Sequence, residues 1–341
     1  MSTWYLSAPA MEVNRMNLIA GSGVLSLTPV TAAVLFSEAF RHHMAQNEAV
    51  SIEPQGTLYV HHHARPFQET LFSRSGAPYH ASCRITGATQ FNANDKASGS
   101  KGPANSDQPL ALGFAKVSLI VQVASQDLGE NELLRQFQRF IQCKARFAGG
   151  EIVRHRSPQV FRDLDAAIDS IGGSGYVVTD CSDLIERELE NNPANSRARA
   201  LLDMALEKRF VASGQGSESE QADTSQQTHD QMDQEGGVDE GGDPVGASSS
   251  GKVERKRRSL ACLGYSLLSE PKEKRNARND LAHAYGEAMT GLVEFMPLRE
   301  LHSALNAQDP PFDSHRFLWR YSWPTPDVFL VHQTETDETR C

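Results

Sequence analysis

The sequence predicts an α+β fold, and three observations carry that expectation. Strand-like and helix-like periods alternate along the 341 residues rather than segregating into blocks. The central stretch 116–154 reads as strand, helix, glycine turn and strand. Short β-favouring segments resume after a long polar insertion, as if the chain returns to complete an earlier core. In the central stretch, Val117, Leu119, Val121 and Val123 fall on one side of a period-2 ribbon, the pattern of a half-buried strand. Leu133, Leu134, Phe137, Phe140 and Ile141 then recur at three and four residues and make one apolar helical face, with Arg135, Arg139 and Arg146 on the other. Phe147-Ala148-Gly149-Gly150 is expected to stop that helix, because glycine takes the left-handed conformation that closes one. Residues 151–154 resume as a strand.

In chain order, residues 3–8 form a first strand, followed by a turn-rich segment through Asn14, Asn17, Gly21 and Gly23. Thr28-Pro29 starts a helix, the hydroxyl capping free N–H groups and the proline suiting the first turn. Val30, Ala33, Val34, Phe36, Ala39 and Phe40 make that helix largely apolar, and Arg41-His42-His43 gives it a basic end. Residues 57–65 are the next strand, and 79–90 alternate weakly as another. Residues 91–110, rich in Asn, Ser and Gly, are a loop. Residues 160–171 read as a helix, 172–175 as a turn and 176–179 as a strand. Two charged helices follow at 184–190 and 197–209. After the insertion come a strand at 260–268, a helix at 281–292, and closing β structure at 316–323 and 328–332.

Charge is unevenly distributed. The formal net charge is −10, yet residues 211–251 hold nine carboxylates and no Lys or Arg, so the remainder stands at −10 + 9 = −1 and has room for basic patches. That segment buries too little apolar surface to offset its ordering entropy and reads as a disordered insertion. It ends at Lys252-Val-Glu-Arg-Lys-Arg-Arg258, a run suited equally to phosphate contact and to a solvated linker end. The five cysteines are scattered and form no C-x-x-C pair, which points to neither a disulfide framework nor a zinc knuckle and fits the reducing cytoplasm. Residues 16–37 are uncharged, but Gly21, Gly23, Pro29 and interleaved Ser and Thr break them up, so no membrane span or signal peptide is expected.

Enzyme motifs are lacking. His61-His62-His63 on a strand offers two same-face ligands at most, and no third follows at a metal-site spacing, so no metal or other cofactor is expected. Gly172-Gly-Ser-Gly175 runs from helix to strand, the reverse of a phosphate loop.

The order of three further stretches resembles a known family. Asn14-Arg15-Met16-Asn17 with Thr28-Pro-Val-Thr-Ala32, the strand 117–123 with its helix and Ala148-Gly-Gly-Glu-Ile152, and Leu263-Gly-Tyr-Ser-Leu-Leu268 with Ala284-Tyr-Gly-Glu287 and Gly291-Leu-Val-Glu-Phe295 are similar to the fifth Cas-protein family in its type I-F form. That family supplies the Csy-complex subunit that caps the five-prime handle of the CRISPR guide RNA (crRNA). The last of these motifs is expected to include a helix bearing two spaced glutamates. The resemblance implies a ferredoxin-like (RRM-like) domain of the repeat-associated RNA-binding superfamily with a second β/α region. On that reading, residues 1–210 are the RNA-binding core with a helical extension, 211–258 the acidic insertion and 259–341 the region that completes the fold. It also implies no catalysis, a cytoplasmic setting, pairing with the large subunit and backbone subunits of the effector, and engagement of target DNA through that complex.

The residues agree in kind. Asn14, Arg15 and Asn17 offer amide and guanidinium donors to base edges and phosphates. Arg41 and His42 lie on the first helix, and Arg146 and Arg154 flank Gly149-Gly150, where a backbone could pass closely. These nine are the candidate RNA-binding residues. Two other readings stay open: a metal-independent endoribonuclease using His42, His43 or His61 with Tyr59 as acid and base, and a protein-interaction module without RNA.

Overall fold

The computed structural model describes residues 2–21, 24–47, 51–67, 69–72, 78–81, 111–126, 128–172, 174–206, 208–210, 253–255, 257–273, 282–306 and 312–333. The expected loop at 91–110, the acidic segment at 211–251, Lys252 and Lys256 lie outside them. Two compact units are distinguished, residues 1–206 with 257–341, and residues 207–256. In the smaller unit Lys208–Phe210 pairs antiparallel with Val253–Arg255.

The larger unit is a mixed α/β fold built on one eleven-stranded sheet with few helices. Its strands are β1 (Ser2–Asn17), β2 (Ile52–Pro66), β3 (Leu112–Ser125), β4 (Arg146–Phe147), β5 (Gly150–Arg154), β6 (Gln159–Phe161), β7 (Tyr176–Asp180), β8 (Arg258–Leu267), β9 (Gly286–Pro297), β10 (Arg320–Thr325) and β11 (Val328–His332). They lie in the order β10-β11-β8-β9-β7-β2-β3-β1-β5-β4, with β6 paired to β1. The helices are α1 (Val30–Asn47), α2 (Glu130–Cys143), α3 (Leu164–Asp169), α4 (Asp183–Asn191), α5 (Arg197–Leu206) and α6 (Leu298–Leu305). None of the described helices is long and apolar enough to cross a membrane.

The first half of the chain runs β1, α1, β2, β3, α2, β5. Those four strands lie in the order β2-β3-β1-β5, every neighbour antiparallel. Both crossover helices sit on one face. Phe36 and Phe40 of α1 meet Phe137 and Phe140 of α2, three of the ring pairs edge-on and Phe40–Phe140 tilted, over Leu6, Tyr59, Leu119 and Val121. The alternate residues Tyr5, Leu58, Val60 and Ile120 face the other way and are covered by α3, α6 and Phe317. β3 is therefore buried on both faces, where the sequence suggested one, because Ser118, Ile120, Gln122 and Ala124 are enclosed as well.

Several expectations are corrected. The first strand runs on to Asn17, so Asn14 and Arg15 lie on a strand and not in a turn. It is kept continuous by two register shifts at which Ala10 and Arg15 take positive φ of 52° and 59°. α1 reaches Asn47, which puts Arg41-His42-His43 inside the helix instead of at its end. α2 stops at Cys143, before the glycines. Residues 160–171 divide into β6 and a short helix, which Asp163 caps by accepting the Ala166 N–H at 3.0 Å. The helix expected at 281–292, to which the family resemblance adds two spaced glutamates, is instead largely strand β9, running from Gly286 to Pro297. It pairs with β8 on one side and β7 on the other, and Thr290, Val293 and Phe295 suit that pairing.

Candidate nucleic-acid interface

The end of β1 and the β4–β5 hairpin build one surface. Phe147 pairs with Gly150, leaving Ala148 and Gly149 as a two-residue turn in which both take positive φ, 47° and 76°. That is the conformation whose twist matches a tight hairpin, and it explains the glycine at 149. Gly150 answers a different demand. A Cβ there would stand 2.7 Å from Asn14 O and from Val13 Cγ1, so the hairpin seats on β1 only with hydrogen at this position. The Asn17 N–H then donates to Ala148 O at 2.9 Å, and Asn14 lies in register with Glu151.

Around this seat the side chains point outward. Arg15, at the second bulge of β1, is exposed, and its neighbour Met16 is fully buried, so the register shift turns the guanidinium to solvent while the backbone stays anchored. A non-glycine residue at φ 59° is held there by the surrounding pairing, and such strain concentrates at working sites. Arg146 is exposed and reaches back to its own turn, donating from Nη1 to Gly149 O at 3.4 Å. Asn14, Arg15, Asn17, Arg146, Gly149 and Gly150 are thus brought together from two separate stretches.

Arg154 stands on the same hairpin strand, exposed, in register with Glu12. Arg41 and His42 are differently engaged. Arg41 donates to Glu38 at 2.7 Å, and the same carboxylate accepts the Tyr321 hydroxyl at 2.9 Å. The His42 ring contacts the Gln46 amide at 2.8 Å.

A cavity of about 120 Å³ opens beside the hairpin, lined among others by Asn17, Thr28, Thr31, Ala148 and Tyr265. Its wall is the N-terminal turn of α1. Thr28 does not cap that helix as its sequence suggests: its N–H is bonded to Ser26 Oγ at 3.1 Å, and its own hydroxyl oxygen is buried without a partner among the described residues. Thr31 spends its hydroxyl on Cys262 O at 2.7 Å, which fastens α1 to β8. The Val30 N–H turns back to Thr28 O at 2.9 Å, and the positive end of the helix dipole makes such a wall favourable to an anion. Tyr265 supplies an aromatic ring that is 40% exposed, its hydroxyl shifted further from ionisation by burial and by Cys262. Thr31 and Tyr265 are site residues that sequence reasoning did not select, although Gly264-Tyr265 was visible as a motif.

Residues 14–17, 28–32, 148–150 and 262–265 therefore converge on one spot. The sequence matches the family model described as CRISPR-associated protein (Cas_Csy2) across residues 6–330. The chain belongs to this family. Membership makes it a type I-F Csy-type Cas subunit, a component of a CRISPR effector complex in antiviral defence, and the matched span contains all four converging stretches. No curated protein matches the sequence.

Proposed function

We propose that this Csy-type subunit is a non-catalytic RNA-binding protein that holds the five-prime handle of the crRNA, pairs with the large subunit of the effector and reaches target DNA through it. The observation that carries the reading is the convergence of Asn14, Arg15, Asn17, the Ala148-Gly149 turn, the start of α1 and Tyr265 on one surface. Arg15 and Arg146 match phosphate geometry, the asparagine amides match base edges, the α1 turn favours a phosphate, and Tyr265 offers a stacking face for a splayed base.

The strand-helix-strand-strand-helix-strand order and the β2-β3-β1-β5 arrangement support a ferredoxin-like core of the RRM type. With α3 and α6 covering the face that such domains often leave open, RNA is held at the hairpin edge instead of across the sheet. A cytoplasmic setting follows from that role. Burial supports the non-catalytic assignment. Tyr59 is fully enclosed and its hydroxyl held far from ionisation, and His43 is buried as well, so neither is placed to meet a 2′-hydroxyl.

The test is recovery of crRNA with the tagged chain from its host. Arg15→Ala and Arg146→Ala should each lower handle affinity by roughly tenfold, the scale of one charge-assisted hydrogen bond. Undiminished crRNA in both variants would refute the assignment. Recovery of effector subunits without RNA would favour an interaction module, and repeat RNA cut at one position by the purified chain a ribonuclease.

A further inference from the structure

A second basic surface lies away from the hairpin, sharing no residue with it. A groove of about 660 Å³ opens between the start of β7 and the start of α6, lined by His62, Ser174, Gly175, Tyr176, Arg257, Pro297 and Arg299. No carboxylate is among the described residues of that lining, in a chain whose net charge is −10. Elsewhere, exposed arginines are commonly neutralised: Arg41 by Glu38, Arg135 by Glu132, Arg187 by Asp183, Arg199 by Asp203. Neither Arg257 nor Arg299 has an ion pair among the described residues.

The two last residues of the basic run part company here. Arg258 turns inward, its side chain 7% exposed, and meets Glu294 at 3.1 Å. Arg257 turns outward and lies over the Tyr176 ring, 5.0 Å from its centroid, while its carbonyl accepts the Phe295 N–H at 2.8 Å. Over that ring the guanidinium has no hydrogen-bond or ion-pair partner among the described residues.

His62 forms a wall of the groove. Ser174 O can only accept, so Nδ1 carries the proton and donates to it at 2.7 Å, while Nε2 accepts from the Ser118 hydroxyl at 2.7 Å. Burial first, and then the cations Lys116 and Arg156, lower the proton affinity of His62, so those two charges bear on the same place. Lys116 is partly offset by Glu12 at 3.9 Å.

We propose that this groove is a second polynucleotide site, gripping sugar-phosphate backbone through Arg257 and Arg299 and independent of the handle reading. Phosphate is the chemistry such a groove fits: planar cationic donors with no competing carboxylate among the described lining residues. An RNA strand and a DNA duplex both present it.

The experiment measures binding of the full chain, and of the crRNA-loaded complex, to two fluorescein-labelled probes of arbitrary sequence, a single-stranded RNA and a DNA duplex, across a salt series. The double variant R257A/R299A should bind at least one probe more weakly and lose about 2 from the slope of log affinity against log salt, near 0.9 per duplex phosphate contact. R257K/R299K should keep most of that slope, and R15A/R146A should leave it in place. A salt slope unchanged by R257A/R299A on both probes would overturn the proposal while leaving the handle reading untouched. Loss with the duplex alone would assign the groove to DNA, and loss with the RNA alone to RNA.

Discussion

At the scale of one residue, burial decides what the consecutive histidines of β2 do. A register shift between His61 and His63 sends them to different surroundings, which simple strand alternation does not anticipate. His61 sits against Tyr59, whose hydroxyl lies 3.4 Å from Nδ1, and edge-on to Phe295 at 5.7 Å. Burial, with His62 and His63 adding to it, pushes its pKa from 6.5 down to about 4. The unfolded chain then holds more protons between those two values, so the stability that neutral His61 confers is complete above pH 6.5 and is lost as pH falls toward 4. Unfolding in urea should show the protein about 2 kcal/mol less stable at pH 5 than at pH 7 from this residue alone, on 1.36 kcal/mol per unit. His61→Gln should remove that part and leave a smaller slope from His43 and His62, which burial shifts the same way. A variant with the parent's full pH dependence would mean that His61 is not its source.

Among elements, the β4–β5 hairpin shows where sequence reading stops. The apolar spacing of Leu133, Phe137, Phe140 and Ile141 marks α2 correctly, and all four side chains are buried. Ala148-Gly149-Gly150 announces a positive φ, but a helix stop and a two-residue hairpin ask for the same conformation, and only the pairing of Arg146 with Glu151 separates them. β9 failed in the opposite direction. Glu287, Ala288, Met289 and Leu292 are good helix formers, and partners more than twenty residues away in β8 override that preference. The hairpin also yields an ordering of mutational costs. Gly149 faces open space, so Gly149→Ala meets only the strain of φ 76°, about 1 kcal/mol. Gly150→Ala drives a methyl into Asn14 O, Val13 and Met16 N and should cost more, about 1–3 kcal/mol, with looser crRNA binding as β1 and the hairpin separate. Urea midpoints in which Gly149→Ala is the worse of the two would contradict this packing.

For the whole molecule, the converging stretches were individually legible while the sheet that gathers them was not. Asn14, Arg15, Asn17 and Gly149 stand out as polar or permissive residues, yet nothing local says that β8 lies beside β9 or that Trp319 fills the core. Trp319 is fully buried, donates from Nε1 to Val178 O at 2.9 Å and exchanges backbone hydrogen bonds with Thr57, joining segments hundreds of residues apart. Such pairings leave no local trace, because the partners lie far apart in the sequence. The smaller unit lends itself to a test of the acidic segment. Phe210 and Val253 are antiparallel partners, so the chain leaves and returns at adjacent points. Replacing residues 211–252 with an Asn-Gly turn should therefore close the hairpin without pulling on the larger unit, and a shorter loop costs less closure entropy. Thermal unfolding should stay within a few degrees of the parent, since about 1 kcal/mol moves a large domain by roughly 2–4 °C. The same change removes nine carboxylates and Lys252, taking the formal charge to −10 + 9 − 1 = −2. Binding of unrelated RNA at low salt should then tighten, and the gain should fade as salt rises, because a repulsion has been lifted and no contact added. A collapse in thermal stability would instead make the segment part of the fold, and unaltered RNA binding at low salt would deny it any electrostatic part.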